Sequence, residues 1–312
     1  MKDEGESVAR AAPSVPTAEV RPTERLLLRN ILFATDFSSV STAAMNHALS
    51  IAQRYDARIY IAHVIRPDAY QLVPPEAVAM ASEQTRRYAE QQMAQLLVSG
   101  HLRGIPHQVL LEQGELWPTL AAMLEQHEID LIVVGTHGRT GVRKLLLGSA
   151  AEEIFRMAPC PVLTVGPHVT GEVPTETTLR RILYATDFTA HSDRASAYAF
   201  SLAQEHQAHL ILLHVVQGAA DVSAPGHAKL TEFFLEQMQQ MIPEEADLWC
   251  EPEIRVDFGT PADEILRLTS EQNADLIVLG VRLSATFAGH LPPATAYKVV
   301  YQATCPVLTV RG

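Results

Sequence analysis

The sequence predicts a doubly wound α/β protein built from two tandem copies of one domain, and two observations support this. The segment RNILFATDF at Arg29–Phe37 returns as RRILYATDF at Arg180–Phe188, which is 151 positions later. In each copy, apolar β-rich runs alternate with segments of helical periodicity. A unit of about 140 residues is far longer than a solenoid repeat, so each copy is a whole domain.

The spacing between matching segments locates a deletion in the second copy. Ala57–Ile65 (ARIYIAHVI) matches Ala208–Val216 (AHLILLHVV), again 151 positions apart. The segments DLIVVG at Asp130–Gly135 and CPVLTV at Cys160–Val165 have counterparts only 145 positions later. The second copy therefore lacks six residues between its second and third strands.

Composition shifts predict the domain boundaries. The first residues have neither the apolar core nor the cleavage pattern of a signal peptide, which indicates a disordered tail. A stretch rich in Pro, Gly and Thr between the copies is typical of a linker. We expect a tail at 1–26, a first domain at 27–167, a linker at 168–178 and a second domain at 179–312.

In the first copy, five apolar runs bounded by turn residues predict five strands. They are Ile31–Thr35, Arg58–Val64, Gln108–Glu112, Leu131–Gly135 and Val162–Val165. Between the first two strands, apolar residues at helical spacing predict a crossover helix: Val40, Ala44, Ala48, Ile51, Ala52 and Tyr55. Strands that are apolar throughout are typical of a parallel sheet covered on both faces.

Composition excludes several classes of partner. The 312 residues carry a formal net charge of -12, which provides no basic stripe for nucleic acid. No apolar run approaches the roughly 20 residues of a membrane span. The three cysteines are too few for a disulfide framework, so we expect a cytoplasmic protein. Cys160 and Cys305, each before a proline, fit small buried apolar residues better than redox groups.

The residues that follow the strands are the candidates for ligand binding, since doubly wound sheets bind ligands at the carboxyl ends of strands. Strand one ends in Ala34-Thr35-Asp36. Strand four ends in GTHGRTG at Gly135–Gly141, and Gly148 and Ser149 then open a helix over Ala150–Met157. The loop between them also carries the basic residues Arg139, Arg143 and Lys144.

Glycines at this spacing allow positive φ and let backbone amides approach a phosphate at the start of a helix. No Lys-Ser or Lys-Thr pair follows the last glycine, so this is not a Walker loop. Structural alternatives exist for each residue. Paired glycines also mark ordinary turns, Ser149 and Glu152 form a possible capping box, and Asp36 before Ser38 is a possible helix cap.

The ATDF start, the AHV end of strand two and the spacing of Gly135, Gly138, Gly148 and Ser149 resemble the ATP-binding subgroup of the universal stress protein family. The resemblance implies tandem adenine-nucleotide-binding-like domains with strand order 3-2-1-4-5. It also implies that ATP, with Mg²⁺ near Asp36, binds in the first domain. The implied nucleotide-binding residues are Ala34, Thr35, Asp36, Val64, Val134, Gly135, His137, Gly138, Arg139, Gly148, Ser149 and Ala150.

The second copy departs from this pattern. Leu283 replaces Gly138, and Pro293 and Ala294 replace Gly148 and Ser149, which removes an amide donor and a hydroxyl. We expect this copy not to bind ATP in the manner of the family. Asp187 is retained where the first copy has Asp36, which favours a structural role for both aspartates. His63 and His214 match inside strand two and are expected to be satisfied core histidines.

The leading functional hypothesis is a non-enzymatic regulatory module whose first domain binds ATP. A slow ATPase or self-phosphorylating enzyme and a nucleotide-free scaffold remain as alternatives. Strand five of each copy is a short apolar edge that must be covered or paired. The resemblance implies that the two copies pair through it as an intramolecular pseudo-dimer. The sequence does not decide whether two chains also form a homodimer.

Overall fold

Each half of the protein alternates strands and helices. The computed structural model describes residues 26–66, 74–136, 148–169, 179–218, 223–244, 246, 250, 252–281 and 294–311. The first half contains β1 (Asn30–Ala34), α1 (Ser39–Tyr55), β2 (Arg58–Ile65), α2 (Pro75–Val98), β3 (His107–Gln113), α3 (Leu116–Gln126), β4 (Leu131–Gly135), α4 (Ser149–Met157) and β5 (Val162–Val165).

The second half repeats this order. It contains β6 (Arg181–Thr186), α5 (Ala190–His206), β7 (His209–Val216), α6 (Ala224–Met241), β8 (Glu253–Phe258), α7 (Pro261–Gln272), β9 (Leu276–Val281), α8 (Ala294–Gln302) and β10 (Val307–Arg311). The doubly wound α/β class predicted from the sequence is therefore confirmed. Residues 1–25 of the predicted tail and 170–178 of the predicted linker lie outside the described residues.

The predicted strands agree with the structure to within one residue at each end. β4 and β5 have the predicted bounds, whereas β2 runs one residue further, to Ile65. β1 spans Asn30–Ala34, one residue earlier than expected. Thr35 still donates its amide to the carbonyl of Ala62 at 2.9 Å, but the chain turns immediately after it.

All ten strands form one sheet in the order β3-β2-β1-β4-β5-β10-β9-β6-β7-β8. The first half thus has the predicted 3-2-1-4-5 order, and the second half runs through the same order in reverse. Neighbouring strands within each half are parallel. β5 and β10 are antiparallel, with Leu163 opposite Leu308. These two leucines occupy equivalent positions in the repeat.

Apolar side chains cover both faces of the sheet. One core packs α1 and α2 against first-half residues such as Ile31 and Phe33, and α5 against second-half residues such as Ile182. The other packs α3 and α4 against the alternate residues, including Leu32 and Ile132. Full burial of such a side chain contributes about 2 kcal/mol. Among the described residues, no helix is long and apolar enough to cross a membrane.

Candidate functional site

The carboxyl ends of β1, β2 and β4 lie side by side. The border of the sheet formed by these strand ends is called the edge below. Ala34 pairs with Ala62 of β2 and with Val134 of β4. The amide of Gly148 donates to the carbonyl of Thr136 at 2.7 Å, which ties the start of α4 to the same edge. This edge carries nine of the predicted residues: Ala34, Thr35, Asp36, Val64, Val134, Gly135, Gly148, Ser149 and Ala150.

A strained turn follows β1. Phe37 has φ 62°, a left-handed conformation that costs a non-glycine residue about 1–3 kcal/mol. The Thr35 hydroxyl holds the turn by accepting hydrogen bonds from the Phe37 amide (3.0 Å) and the Ser41 hydroxyl (2.8 Å). The Phe37 ring packs on His63, with centroids 4.5 Å apart. Phe188 repeats the turn in the second half, with φ 58°.

The strand-two histidines support this turn. Nδ1 of His63 donates to the carbonyl of Thr35 at 2.7 Å. Nδ1 of His214 makes the matching bond to Thr186 at 2.9 Å. Burial is the largest influence on His214 and lowers the pKa of its imidazole. Both histidines are hydrogen-bonded as predicted, although each is half-buried and not fully in the core.

Asp36 forms part of the turn but does not cap α1. The N-cap is Ser38, whose hydroxyl accepts from the Ser41 amide at 3.2 Å. The cap alternative for Asp36 is therefore wrong, because the N-cap lies two residues later, at Ser38. The Asp36 carboxylate accepts the Ser38 amide at 3.0 Å, and within the described ranges it has no second donor.

Asp187, the equivalent residue in the second half, accepts more hydrogen bonds than Asp36. One carboxylate oxygen accepts from the Thr189 amide (3.1 Å), the Thr189 hydroxyl (2.6 Å) and the Ser192 hydroxyl (2.5 Å). Although burial acts in the opposite direction, these bonds lower the pKa of Asp187. In the first half, the serine equivalent to Ser192 is Ser41, which bonds to Thr35 instead. Among the described residues, the first aspartate therefore accepts fewer hydrogen bonds than the second.

Gly135 is required by packing rather than by a left-handed backbone. Its φ is not positive in the structure. A Cβ at this position would lie 3.0 Å from the Ser41 nitrogen and 3.1 Å from the Val40 carbonyl. Gly280 is tighter still, at 2.5 Å from the carbonyl oxygen of His191. In both halves this glycine lets the first turn of α1 or α5 approach the sheet.

The start of α4 also corrects the sequence analysis. Gly148 is the N-cap, with φ −58°, and makes no positive-φ turn. Ser149 is the first helical residue, so the capping-box alternative with Glu152 is wrong. A capping box requires the serine itself in the extended N-cap position. Within the described part of the chain, the amides of Ser149 and Ala150 have no acceptor and are free to bind an anion.

The sequence analysis missed Arg66, which directly follows β2. Its guanidinium Nη1 donates to the hydroxyl of Ser149 at 3.2 Å. Arg66 therefore brings a positive charge to the helix start where the free amides lie. A signal was available, because the equivalent position in the second copy is Gln217 and the position equivalent to Ser149 is Ala294. Both members of this pair are replaced together.

Several predicted positions lie outside the described residues. They are His137, Gly138 and Arg139, the basic loop residues Arg143 and Lys144, and Leu283 and Pro293 of the second copy. Their placement stays a prediction.

The described residues contain no group of three or more His, Cys, Asp or Glu side chains able to hold a metal ion. Cys160 and Cys305 are free and buried. Burial raises the pKa of each thiol to about 12, which leaves it protonated and unreactive. The expectation that they are small buried apolar residues is confirmed.

The fold defines a tandem protein of the Rossmann-like, doubly wound α/β class. The sequence profile of the universal stress protein family matches residues 28–166 and 178–311. The chain therefore belongs to the universal stress protein family and carries two of its domains in tandem.

Relatives agree with this assignment. A universal stress protein of Mycolicibacterium smegmatis is 27% identical over 292 residues, which cover 90% of this chain and 96% of the relative. One from Methanocaldococcus jannaschii is 31% identical over 140 residues, covering 45% of this chain and 82% of the relative.

Solved structures show the same fold. A universal stress protein from Archaeoglobus fulgidus has a TM-score of 0.63 and 20% identity, covering 90% of this chain and 98% of its own. A putative universal stress protein from Pseudomonas aeruginosa has a TM-score of 0.60 and 17% identity, covering 91% and 93%.

Proposed function

We propose that the first domain binds ATP, together with Mg²⁺, and that occupancy of this site is the signal the protein provides. The observation that carries the proposal is the start of α4. There, the amides of Ser149 and Ala150 have no acceptor among the described residues, and the Ser149 hydroxyl is bonded to Arg66. This set of groups is suited to the phosphate chain of a nucleotide lying across the carboxyl ends of β1 and β4.

Electrostatics favours an anion at this point. The protein as a whole carries a formal charge of -12 and repels polyphosphates at long range. The amino end of α4 contributes roughly half a positive charge, and the Arg66 guanidinium adds a full one beside it. Phosphate binding thus depends on a few local groups, and the removal of any one of them should weaken it measurably.

The residues present fit a metal that is held mainly by the nucleotide. Mg²⁺ at such sites is bound by phosphates, waters and one or two carboxylates. Asp36 supplies one carboxylate at the edge, and within the described ranges only the Ser38 amide donates to it. When bound, Mg²⁺ would neutralise phosphate charge, and Asp36 would orient it toward the end of β1.

The second domain lacks these groups. Gln217 and Ala294 replace the arginine and the serine. Asp187 is held by Thr189 and Ser192 within its own turn. We therefore assign the second domain to pairing: β10 covers the β5 edge within one chain, as in a pseudo-dimer. A homodimer of two chains would have to use another surface.

The proposed activity is binding rather than turnover. Phosphoryl transfer needs a positioned base in addition to charge stabilisation. Asp36 is anchored to the Ser38 amide and is assigned to the metal. Purified protein incubated with labelled ATP and Mg²⁺ should release no ADP at a steady rate. Steady release that disappears in Asp36→Ala would instead identify a slow ATPase.

Extraction of bound nucleotide from purified protein tests the proposal. Wild type should release adenine nucleotide on denaturation, and the double variant Arg66→Gln, Ser149→Ala should release little. This variant places the second copy's own residues into the first site. If neither protein contains nucleotide and neither binds added ATP, the protein is a nucleotide-free scaffold. If both contain equal amounts, the site assignment is wrong.

A further inference from the structure

An apolar cavity lies between the two halves, away from the nucleotide edge. It has a volume of about 410 Å³, which is within the range of small-molecule sites. The cavity lies near the amino ends of the strands, beneath the second halves of α1 and α5. Residues that precede β1 and β6, including Leu28 and Leu179, close it.

The cavity lies on the pseudo-twofold axis that relates the two copies. Two contacts between equivalent residues mark this axis. Leu163 lies opposite Leu308 in the sheet. The Arg54 guanidinium donates to the carbonyl of Glu205 at 2.8 Å, and these residues are 151 positions apart. Leu163, Leu308 and Arg54 line the cavity, and so does His206, the neighbour of Glu205. The walls are therefore formed by the same surface of each copy.

Equivalent apolar residues from both copies form the walls. They are Leu131 with Leu276, Ile51 with Leu202, and Pro161 with Pro306. Hydrogen bonds fix the closing segments in place. The Leu26 amide donates to the Ser201 hydroxyl at 2.9 Å, and the Leu179 amide donates to Nδ1 of His206 at 3.1 Å. These bonds hold the two segments in place beside the cavity, which is partly open to solvent.

Among the polar side chains that line the cavity, His47 on α1 and Tyr198 on α5 occupy equivalent positions. Within the described part of the chain, neither has a hydrogen-bond partner. Burial lowers the pKa of His47 to about 4, so its imidazole is uncharged at neutral pH. Burial likewise raises the pKa of Tyr198 to about 12 and keeps its hydroxyl protonated. Neither side chain has a fully buried polar atom without a partner, so water or a ligand in the cavity can bond to both.

We propose that this cavity is a second ligand site, for an uncharged and mainly apolar molecule that carries one hydrogen-bonding group. The leucine-rich walls take the apolar body, and His47 and Tyr198 bind the polar group. A neutral imidazole offers one donor and one acceptor, and the tyrosine hydroxyl offers a donor, so hydroxyl, carbonyl and amine groups all fit. The charged side chains that line the cavity, Arg54 and Asp275, already bond to the Glu205 carbonyl and to the amides of Arg180 and Arg181. The site is independent of the proposed ATP site.

The test uses the intact protein and two fluorescent probes. N-phenyl-1-naphthylamine has an apolar body and one N–H donor, whereas diphenylhexatriene has no polar group. Wild type should bind the amine probe saturably, with about one site per chain. Ile51→Trp, which places an indole in the cavity, should weaken binding at least tenfold. Leu97→Trp adds the same indole on the exposed side of α2 and should leave binding unchanged.

The variant His47→Phe tests the polar contact to the ligand separately from the apolar walls of the cavity. It preserves the ring and removes the acceptor nitrogen, so the affinity for the amine probe relative to diphenylhexatriene should fall about fivefold. A wild-type protein that binds neither probe would overturn the proposal. So would equal binding by Ile51→Trp and Leu97→Trp, because the probe would then lie elsewhere.

Discussion

Arg66 and Ser149 are joined by a hydrogen bond of 3.2 Å that links the end of β2 to the first residue of α4. The bond crosses the edge where β1 and β4 end, so it spans the site proposed for the phosphates. Its two members are replaced together in the second copy, by Gln217 and Ala294. If this hydrogen bond only stabilised the fold, we would expect both copies to keep it.

Arg66→Gln should therefore weaken ATP binding about tenfold, which corresponds to about 1.4 kcal/mol, and should leave adenosine binding unchanged. The reason is that the guanidinium contacts the phosphate end of the ligand. Calorimetric titration with ATP and with adenosine measures both effects. Arg58→Gln is the matched control, since Arg58 is exposed at the opposite end of β2. Equal losses for ATP and adenosine would show that Arg66 acts through the fold.

The two equivalent aspartates should differ in their effect on stability. Asp187 accepts three hydrogen bonds within its turn, whereas Asp36 accepts one among the described residues. We expect Asp187→Ala to lower the free energy of unfolding by about 2 kcal/mol and Asp36→Ala by about 1 kcal/mol. Urea denaturation without nucleotide measures both. A larger loss for Asp36→Ala would contradict the different roles assigned to them.

Much of this fold follows from the sequence because it depends on periodic apolar runs and on an internal repeat. β4 and β5 have their predicted bounds for that reason. The site was harder to predict, because the same local sequence pattern is compatible there with more than one structure. Ser149 and Glu152 match a capping box, yet the helix begins at Ser149 and Arg66 takes the hydroxyl. That contact depends on the order of strands in the sheet, which spacing along the chain does not reveal.

The role of Gly135 illustrates the same limit. In the sequence it belongs to a glycine-rich loop, but its close neighbours are backbone atoms of α1, 95 positions away at Val40. The match between Gly135 and Gly280 was visible in the repeat. It indicated a structural requirement, because the second copy has lost the other loop glycines and kept this one.

Gly280→Ala should be more destabilising than Gly135→Ala. The added Cβ would lie 2.5 Å from the His191 carbonyl oxygen in the first case and 3.0 Å from the Ser41 nitrogen in the second. Both neighbours are backbone atoms that move only if the helix shifts. We expect losses of about 3 kcal/mol and about 1 kcal/mol, respectively, in urea denaturation. The reverse order would show that helix α5 adjusts more easily than α1.

The buried His47 should make stability depend on pH. Its pKa is lowered to about 4 by burial, whereas an unfolded histidine titrates near pH 6.5. As the pH falls from about 6.5 toward 4, the unfolded state gains a proton that the folded state does not, so stability decreases. His47→Phe should reduce the loss of unfolding free energy between pH 7.5 and pH 5 by about 2 kcal/mol.

Denaturation curves for His47→Phe at the two pH values give this difference directly. His101→Gln is the control, because His101 lies on an exposed turn. If both variants keep the wild-type pH dependence, His47 is not buried in the uncharged form.

The central claim is that this tandem universal stress protein binds nucleotide in its first domain and not in its second. Calorimetric titration of the full chain with ATP and Mg²⁺ tests it most directly. The account predicts one site per chain, and predicts that Arg66→Gln combined with Ser149→Ala removes that site. Two sites per chain, or one site that survives this double substitution, would contradict it.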